Sequence, residues 1–319
     1  MTQHMQRGSH RLRLSSPGSM LSSASVPVLA VGLACGAPAI AQVGPGLTAP
    51  PVFQSVDEHG VELLGGRLVR SLDSISIGRG AGSLGYNWST DSSLQQDILG
   101  YITIVADPAN AANNKLSVVI GGGTETFTGP ASGTTFAQDQ GRPSTLTRDI
   151  AADTYTYTRS NGSVAIFSKA LAAGTPAAST YGLKSLTHPG GQVLNYYYTY
   201  TSPRHDVHAV TSSLGYQLRL TRNSTGGVTS VVAFNMHSET CDPAAASCTL
   251  TGSWPKLTWN AATGDLTDST NRSVRMTKTS TQVVITYPSG RTLTYNGANG
   301  STGIFKVTSF TDGKGTWNY

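Results

Sequence analysis

The feature that most constrains this chain is a glycine-closed turn set between two alternating runs. It occurs as Leu186-Thr-His-Pro-Gly-Gly191-Gln-Val-Leu-Asn-Tyr196, as Val284-Ile-Thr-Tyr-Pro-Ser-Gly290-Arg-Thr-Leu-Thr-Tyr295, and as Val307-Thr-Ser-Phe-Thr-Asp-Gly-Lys-Gly315-Thr-Trp-Asn-Tyr319. Thr211-Ser-Ser-Leu-Gly215-Tyr-Gln-Leu-Arg-Leu220 is a weaker fourth copy. Alternation at period two gives a strand one apolar face, and glycine accepts the positive φ that reverses the chain in a few residues. Further upstream, Asn161-Gly162 separates Asp153-Thr-Tyr-Thr-Tyr-Thr from Ser163-Val-Ala-Ile-Phe, another strong hairpin signal. Gly191 to Gly215 is 24 residues, Gly215 to Gly290 is 75 and Gly290 to Gly315 is 25. A spacing near 25 predicts stacked units that share edges rather than independent domains.

The expected fold is therefore all-β: antiparallel hairpins forming twisted or spiralling sheets, with little helix. Composition agrees. Charged residues are only 12%, against about 25% in ordinary domains, and Gly, Ser and Thr take their place. Four regions follow: a leader over 1–41, an extended Pro/Gly-rich lead-in over 42–55, a non-repetitive β-rich part over 56–180, and repeat hairpins over 181–319. Within the third, Arg67 to Ile77, Tyr101 to Ala106, Lys115 to Ile120 and the stretch from Glu125 read as strands. Residues 129–146 read as a loop-rich passage, and Asp91 to Leu99 as the one short helix.

The leader carries Arg7, Arg11 and Arg13, then a short apolar stretch from Val26 to Gly36, then Ala39-Ile40-Ala41 before Gln42. This is the pattern of a Sec-type signal peptide cleaved between Ala41 and Gln42. Its apolar stretch is too short to span a bilayer, and no other stretch is longer and as apolar, so no transmembrane span is expected. Gly32-Leu33-Ala34-Cys35 is a poor lipoprotein box because of its glycine, so anchoring through Cys35 is not favoured. Of 22 basic residues three lie in the leader, leaving 19 against 17 acidic ones. With no Lys/Arg cluster elsewhere, nucleic acid is not expected as a partner. After cleavage only Cys241 and Cys248 remain, bracketing a loop of small residues, and in an oxidising compartment such a pair reads as a disulfide.

Taken in order, these turns resemble the YD-repeat family, also called RHS repeats: a glycine-containing turn, Leu or Trp two or three positions on, and Tyr two further. The upstream stretches Ser55-Val-Asp-Glu-His-Gly-Val61, Ser74-Ile-Ser-Ile-Gly78, Val118-Val-Ile-Gly-Gly-Gly-Thr-Glu-Thr-Phe127 and Tyr155-Thr-Tyr-Thr-Arg-Ser-Asn-Gly162 resemble the non-repetitive head of secreted members. The resemblance covers most of 51–319. It differs in having no Tyr-Asp dipeptide, Tyr86-Asn87 and Tyr295-Asn296 coming nearest. It implies a hollow β-wall that encapsulates or displays a C-terminal polypeptide, and it places Tyr319 in the middle of a repeat, so a longer polypeptide is expected.

Residues with chemical potential are few and scattered. Gly80-Ala-Gly82-Ser-Leu-Gly85 matches GxGxxG, but no helix follows to face a pyrophosphate, so it reads as a turn and no cofactor is expected. His205-Asp206-Val207-His208 follows Pro203 and reads as a surface loop, with no metal. There is no G-x-S-x-G and no carboxylate pair in a glycosidase context, so no catalytic residues are assigned. The candidate ligand-stacking aromatics are Tyr196, Tyr198, Trp254 and Trp259. The leading expectation is a non-catalytic extracellular scaffold, its partner the rest of its own polypeptide. The alternative is a secreted module binding carbohydrate or a cell-envelope component, and the third is a β-rich hydrolase.

Overall fold

The computed structural model describes residues 56–319 except 91–97, 99, 122, 170, 172–179, 202–203 and 301–302. The leader with Cys35, Ala41 and Gln42, the lead-in, and nearly all of the expected helix over Asp91 to Leu99 lie outside the described residues. The described chain is all-β and antiparallel, as expected, with two single 3-10 turns at Gly80–Gly82 and Ala111–Asn113.

Eight strands close a ring: β3 (Gly100–Val105), β4 (Lys115–Ile120), β5 (Gly123–Thr128), β6 (Thr135–Gln138), β7 (Thr145–Asp149), β8 (Thr154–Thr158), β9 (Val164–Ser168) and β10 (Thr180–Thr187). β1 and β2, introduced below, stand outside it. Each ring strand pairs with the next, and Thr180 to Gly182 of β10 pair back onto Thr103 to Tyr101 of β3. Ile102, Leu116, Phe127, Leu146, Tyr155 and Phe167 fill the inside and are fully buried. Eight strands leave an interior about as wide as its side chains, so the ring is a packed core rather than a channel. The outward positions are polar: Thr145 and Thr147 are exposed, and Thr154, Thr156 and Thr158 are half-buried. A membrane-spanning barrel alternates the other way, apolar outward.

β10 is shared. Along one edge it pairs with β9, and along the other its first half pairs with β3 and its second half, Ser185 to Thr187, with β11 (Val193–Thr201). From there a meander runs through β12 (Arg204–Ser212), β13 (Tyr216–Arg222), β14 (Val228–Asn235), β15 (Lys256–Asn260), β16 (Asp265–Asp268), β17 (Ser273–Lys278), β18 (Gln282–Thr286), β19 (Thr292–Asn299), β20 (Phe305–Asp312) and β21 (Gly315–Asn318). Each strand of this wall is hydrogen-bonded to its sequence neighbour.

One turn recurs throughout. At 188–192, 223–227, 268–272 and 287–291 the first residue donates its N–H to the carbonyl of the fifth, and the fourth donates to the carbonyl of the first. The hairpins at 57–61 and 159–163 do the same. This is a type I turn followed by a left-handed residue, a three-residue hairpin loop. The left-handed position is Gly191 at φ +84°, Gly290 at +81°, and at 268–272 Asn271 at +63°. Asp268 supports its turn by accepting N–H bonds from Thr270 at 2.8 Å and Arg272 at 3.0 Å. In the two strongest copies the third and fifth residues after glycine point inward: Leu293 and Tyr295 are fully buried, and Ala165 and Phe167 nearly so.

Chain upstream of the ring lies along the wall's inner face as a strap. β1 (Ser71–Ile77) and β2 (Leu84–Ser89) form a hairpin against β13, β14 and β15, with Trp88 stacked on Trp259 at 6.1 Å. Residues 56–70 run over β18 to β21. The His59 ring stacks on Phe310 at 4.4 Å and meets Trp317 at 4.5 Å. Tyr295 donates to the His59 carbonyl at 2.7 Å, and Arg70 reaches Tyr287 and the same carbonyl, each at 3.2 Å. Burial pushes the Tyr295 phenol up to about 12, against the pull of Arg70.

The loop-rich passage 129–146 also holds β6 and the start of β7, whose Phe136 and Leu146 anchor in the ring. Two expectations need correction. His205 to His208 is not a surface loop but part of β12, and Val207 and His208 are buried, because the strand runs between β11 and β13. The recurrent turns also come at uneven spacings, so the wall has one hairpin plan but no fixed period.

Candidate functional site

The wall's outer face carries a roofed cleft. Strand alternation sends Leu218, Leu220 and Val231 inward and Arg219, Thr221, Ser230 and Val232 outward. Val232 lies between Arg219 and Lys256 in one cross-strand row, and Thr221 and Ser230 pair in the next. The long connection from β14 to β15, residues 236–255, folds back over this surface and roofs a cleft of about 620 Å³.

The roof is held by three devices. Cys241 and Cys248 form a disulfide, as expected from their spacing. Glu239 gathers the far side, accepting the Trp254 indole N–H, the Thr251 N–H, and the Gly252 N–H at 3.1 Å. Two buried side chains of the wall then grip the disulfide loop by its carbonyls. Arg219 donates to Asp242 at 3.3 Å, to Pro243 at 3.5 Å and to Ala245 at 2.7 Å. His208 Nε2 meets the Pro243 carbonyl at 3.0 Å, and its Nδ1 meets the Thr199 hydroxyl at 2.9 Å. A carbonyl only accepts, so Nε2 carries the proton and Nδ1 takes the hydroxyl's. Burial holds the His208 pKa below its ordinary value, keeping this neutral tautomer, although the carbonyl bond pulls the other way. Burial likewise lowers Arg219, with Asp242 offsetting it in part.

Trp254 stands on the rim, packed on Phe234 at 6.2 Å. It also borders a second, shallower cleft of about 550 Å³, shared with Ile77, Arg79, Tyr216, Asn235 and Ser238. Of the four stacking candidates, only Trp254 is placed at a cleft. Tyr196 and Tyr198 are buried, and Tyr198 donates to the Leu183 carbonyl at 2.6 Å. They cannot present a ring to a ligand, because the run Tyr196-Tyr197-Tyr198 turns alternate members into the core. Trp259 is covered by Trp88 of the strap. Sequence reasoning did not single out Arg219 or Lys256; outward positions two strands apart leave no local trace.

Elsewhere, Asp153 at the rim of the ring takes bonds from Arg148 at 2.7 Å and Tyr181 at 2.8 Å. This network ties β7 to β10, with the Arg148 Nε left buried and without a hydrogen-bond partner among the described residues. Among the described residues no group of three His, Cys, Asp or Glu side chains is arranged to hold a metal ion, and no helix is long and apolar enough to cross a membrane. Compared with the models of known families and with curated protein sequences, the chain matches none.

Proposed function

We propose that this chain is a non-catalytic extracellular β-scaffold, the N-terminal part of a YD-repeat-like shell that encapsulates or displays further polypeptide. The observation that carries the reading is the run from β10 to β21: hairpin follows hairpin, several of them on one turn plan, with aromatic and aliphatic residues turned to a common inner face. Such a wall grows by adding hairpins at its last strand, and β21 pairs on one side only among the described strands. The disulfide and the leader's charge and cleavage pattern support export to an oxidising compartment.

Mass spectrometry of the native product from the producing cells tests this. The scaffold reading expects an N-terminus at Gln42 and peptides beyond Tyr319 that repeat the glycine-turn-Tyr plan. A native product ending at Tyr319 would overturn it. A second reading, a module binding carbohydrate or an envelope component, is favoured by one observation: Trp254 borders two clefts, one of them on the outer face. A glycan array with the exported protein decides it, and signal no higher than background rejects it.

A further inference from the structure

The outer cleft has a charge pattern that goes beyond holding the disulfide loop. Lys256 forms no hydrogen bond or ion pair among the described residues, although its row places it across Val232 from Arg219. At strand spacings near 4.8 Å the two cationic positions stand about 10 Å apart at the backbone. Arg219 spends its donors on neutral carbonyls and has no carboxylate in ion-pair range among the described residues, and the more distant Asp242 offsets its positive charge only in part. Its lowered pKa reflects the same under-compensation. Arg222 also lines the cleft, donating to the Val207 carbonyl at 3.0 Å and the Gly226 carbonyl at 2.7 Å. Asp206 is the one carboxylate in the lining, against three cationic side chains.

The remaining lining narrows the chemistry. Thr221 and Ser230 offer hydroxyls that exchange hydrogen bonds in either direction, the match for sugar hydroxyls, and Asn223, whose Oδ1 is engaged by Thr225 and Gly227, adds an amide donor. Trp254 adds an indole at the rim. A buried cation without a counter-charge is costly, and a ligand that brings a carboxylate into the cleft offsets that cost. A duplex nucleic acid fits poorly, because the cations are confined to one recess instead of a track.

We propose that the cleft between the outer face of β12 to β15 and the disulfide loop binds a carboxylate-bearing oligosaccharide, with its carboxylate between Arg219 and Lys256 and a sugar ring at Trp254. This rests on the second reading above and is independent of the shell. The shared chemistry is an acidic sugar; its source is either a uronate polysaccharide or a cell-wall muropeptide.

Calorimetric titration of the disulfide-bonded protein tests it. The probes are oligogalacturonates, muropeptides, and neutral cello-oligosaccharides of equal length. At least one acidic probe is expected to bind at least tenfold tighter than the neutral one, and which one identifies the source. Lys256→Gln, at an exposed position, is expected to weaken the acidic probe about fivefold or more with the melting temperature unchanged. Trp254→Phe serves as a second variant, lowering affinity for the same probe. Equal binding of acidic and neutral probes would overturn this proposal and leave the second reading standing. No binding to any probe overturns both. Acidic binding unaffected by Lys256→Gln removes the assigned site.

Discussion

At the residue scale, the turns are where sequence and backbone speak most directly. Gly290 sits at φ +81° with open space where a Cβ would go, so Gly290→Ala tests backbone strain alone. We expect a loss of about 1 kcal/mol in urea unfolding. Asn271 occupies the same position of its own turn, and Asn271→Gly should fall within about 0.5 kcal/mol of the parent, since Asn already tolerates the left-handed region. Asp268 makes a pH prediction. Burial raises its pKa, but the bonds from Thr270 and Arg272 outweigh this and hold the carboxyl well below the usual carboxylate range. A lowered folded-state pKa means stability present above the unfolded value, near about 4, and lost as pH falls below it. Asp268→Asn should therefore lower stability at pH 7, where the carboxylate and its ion pair with Arg272 contribute, and converge with the parent in acid, flattening the acid limb of a stability-against-pH curve. Glycine turns were legible because few residues other than glycine accept a positive φ, and Asn271 obeys the same geometry without the glycine.

At the scale of elements, hairpins were readable and their surroundings were not. Alternation identified β4, β8 and β9 closely, since each is made by neighbours in sequence. It could not tell which members of Tyr196-Tyr197-Tyr198 would be covered, because the cover comes from other strands. The β12 histidines were misread for the same reason: polar residues after a proline look like loop until both flanking strands are in place. Bulges are equally silent. At the Asn296/Gly297 irregularity, a Cβ on Gly297 would stand 1.9 Å from the Lys306 carbonyl oxygen, a backbone atom that cannot swing aside. Gly297→Ala should cost more than Gly290→Ala, about 2 kcal/mol or above, through displaced β19–β20 pairing. The disulfide loop gives a second test. Replacing both cysteines by serine should lower stability by up to about 2.5 kcal/mol. Hydrogen exchange should then quicken over 241–254, while Arg219 and His208 keep part of the loop's protection.

At the scale of the whole molecule, the closed ring was beyond sequence reading. Its closure depends on Thr180 to Gly182 finding Thr103 to Tyr101 across the intervening chain, a pairing with no local signature. Closure removes both edges from eight strands, whereas the wall keeps one at β21. Native-state hydrogen exchange should rank accordingly, with amides of β4, β8 and β9 slowest and those of β21 fastest. Equal rates in the two would show that the ring opens as readily as the wall's end.

The strap sets an order of events. His59 meets Tyr295 across 236 residues, and Val307 donates to the Gly66 carbonyl at 2.7 Å. A chain made from its N-terminus produces the strap first and its dock last. Until β18 to β20 exist, Val61 and Leu68 have no burial to enter, and the inner faces of those strands have no cover. The strap thus reports on completion of β18 to β20, and a chain interrupted before Gln282 should betray itself by rapid proteolysis within residues 56–70.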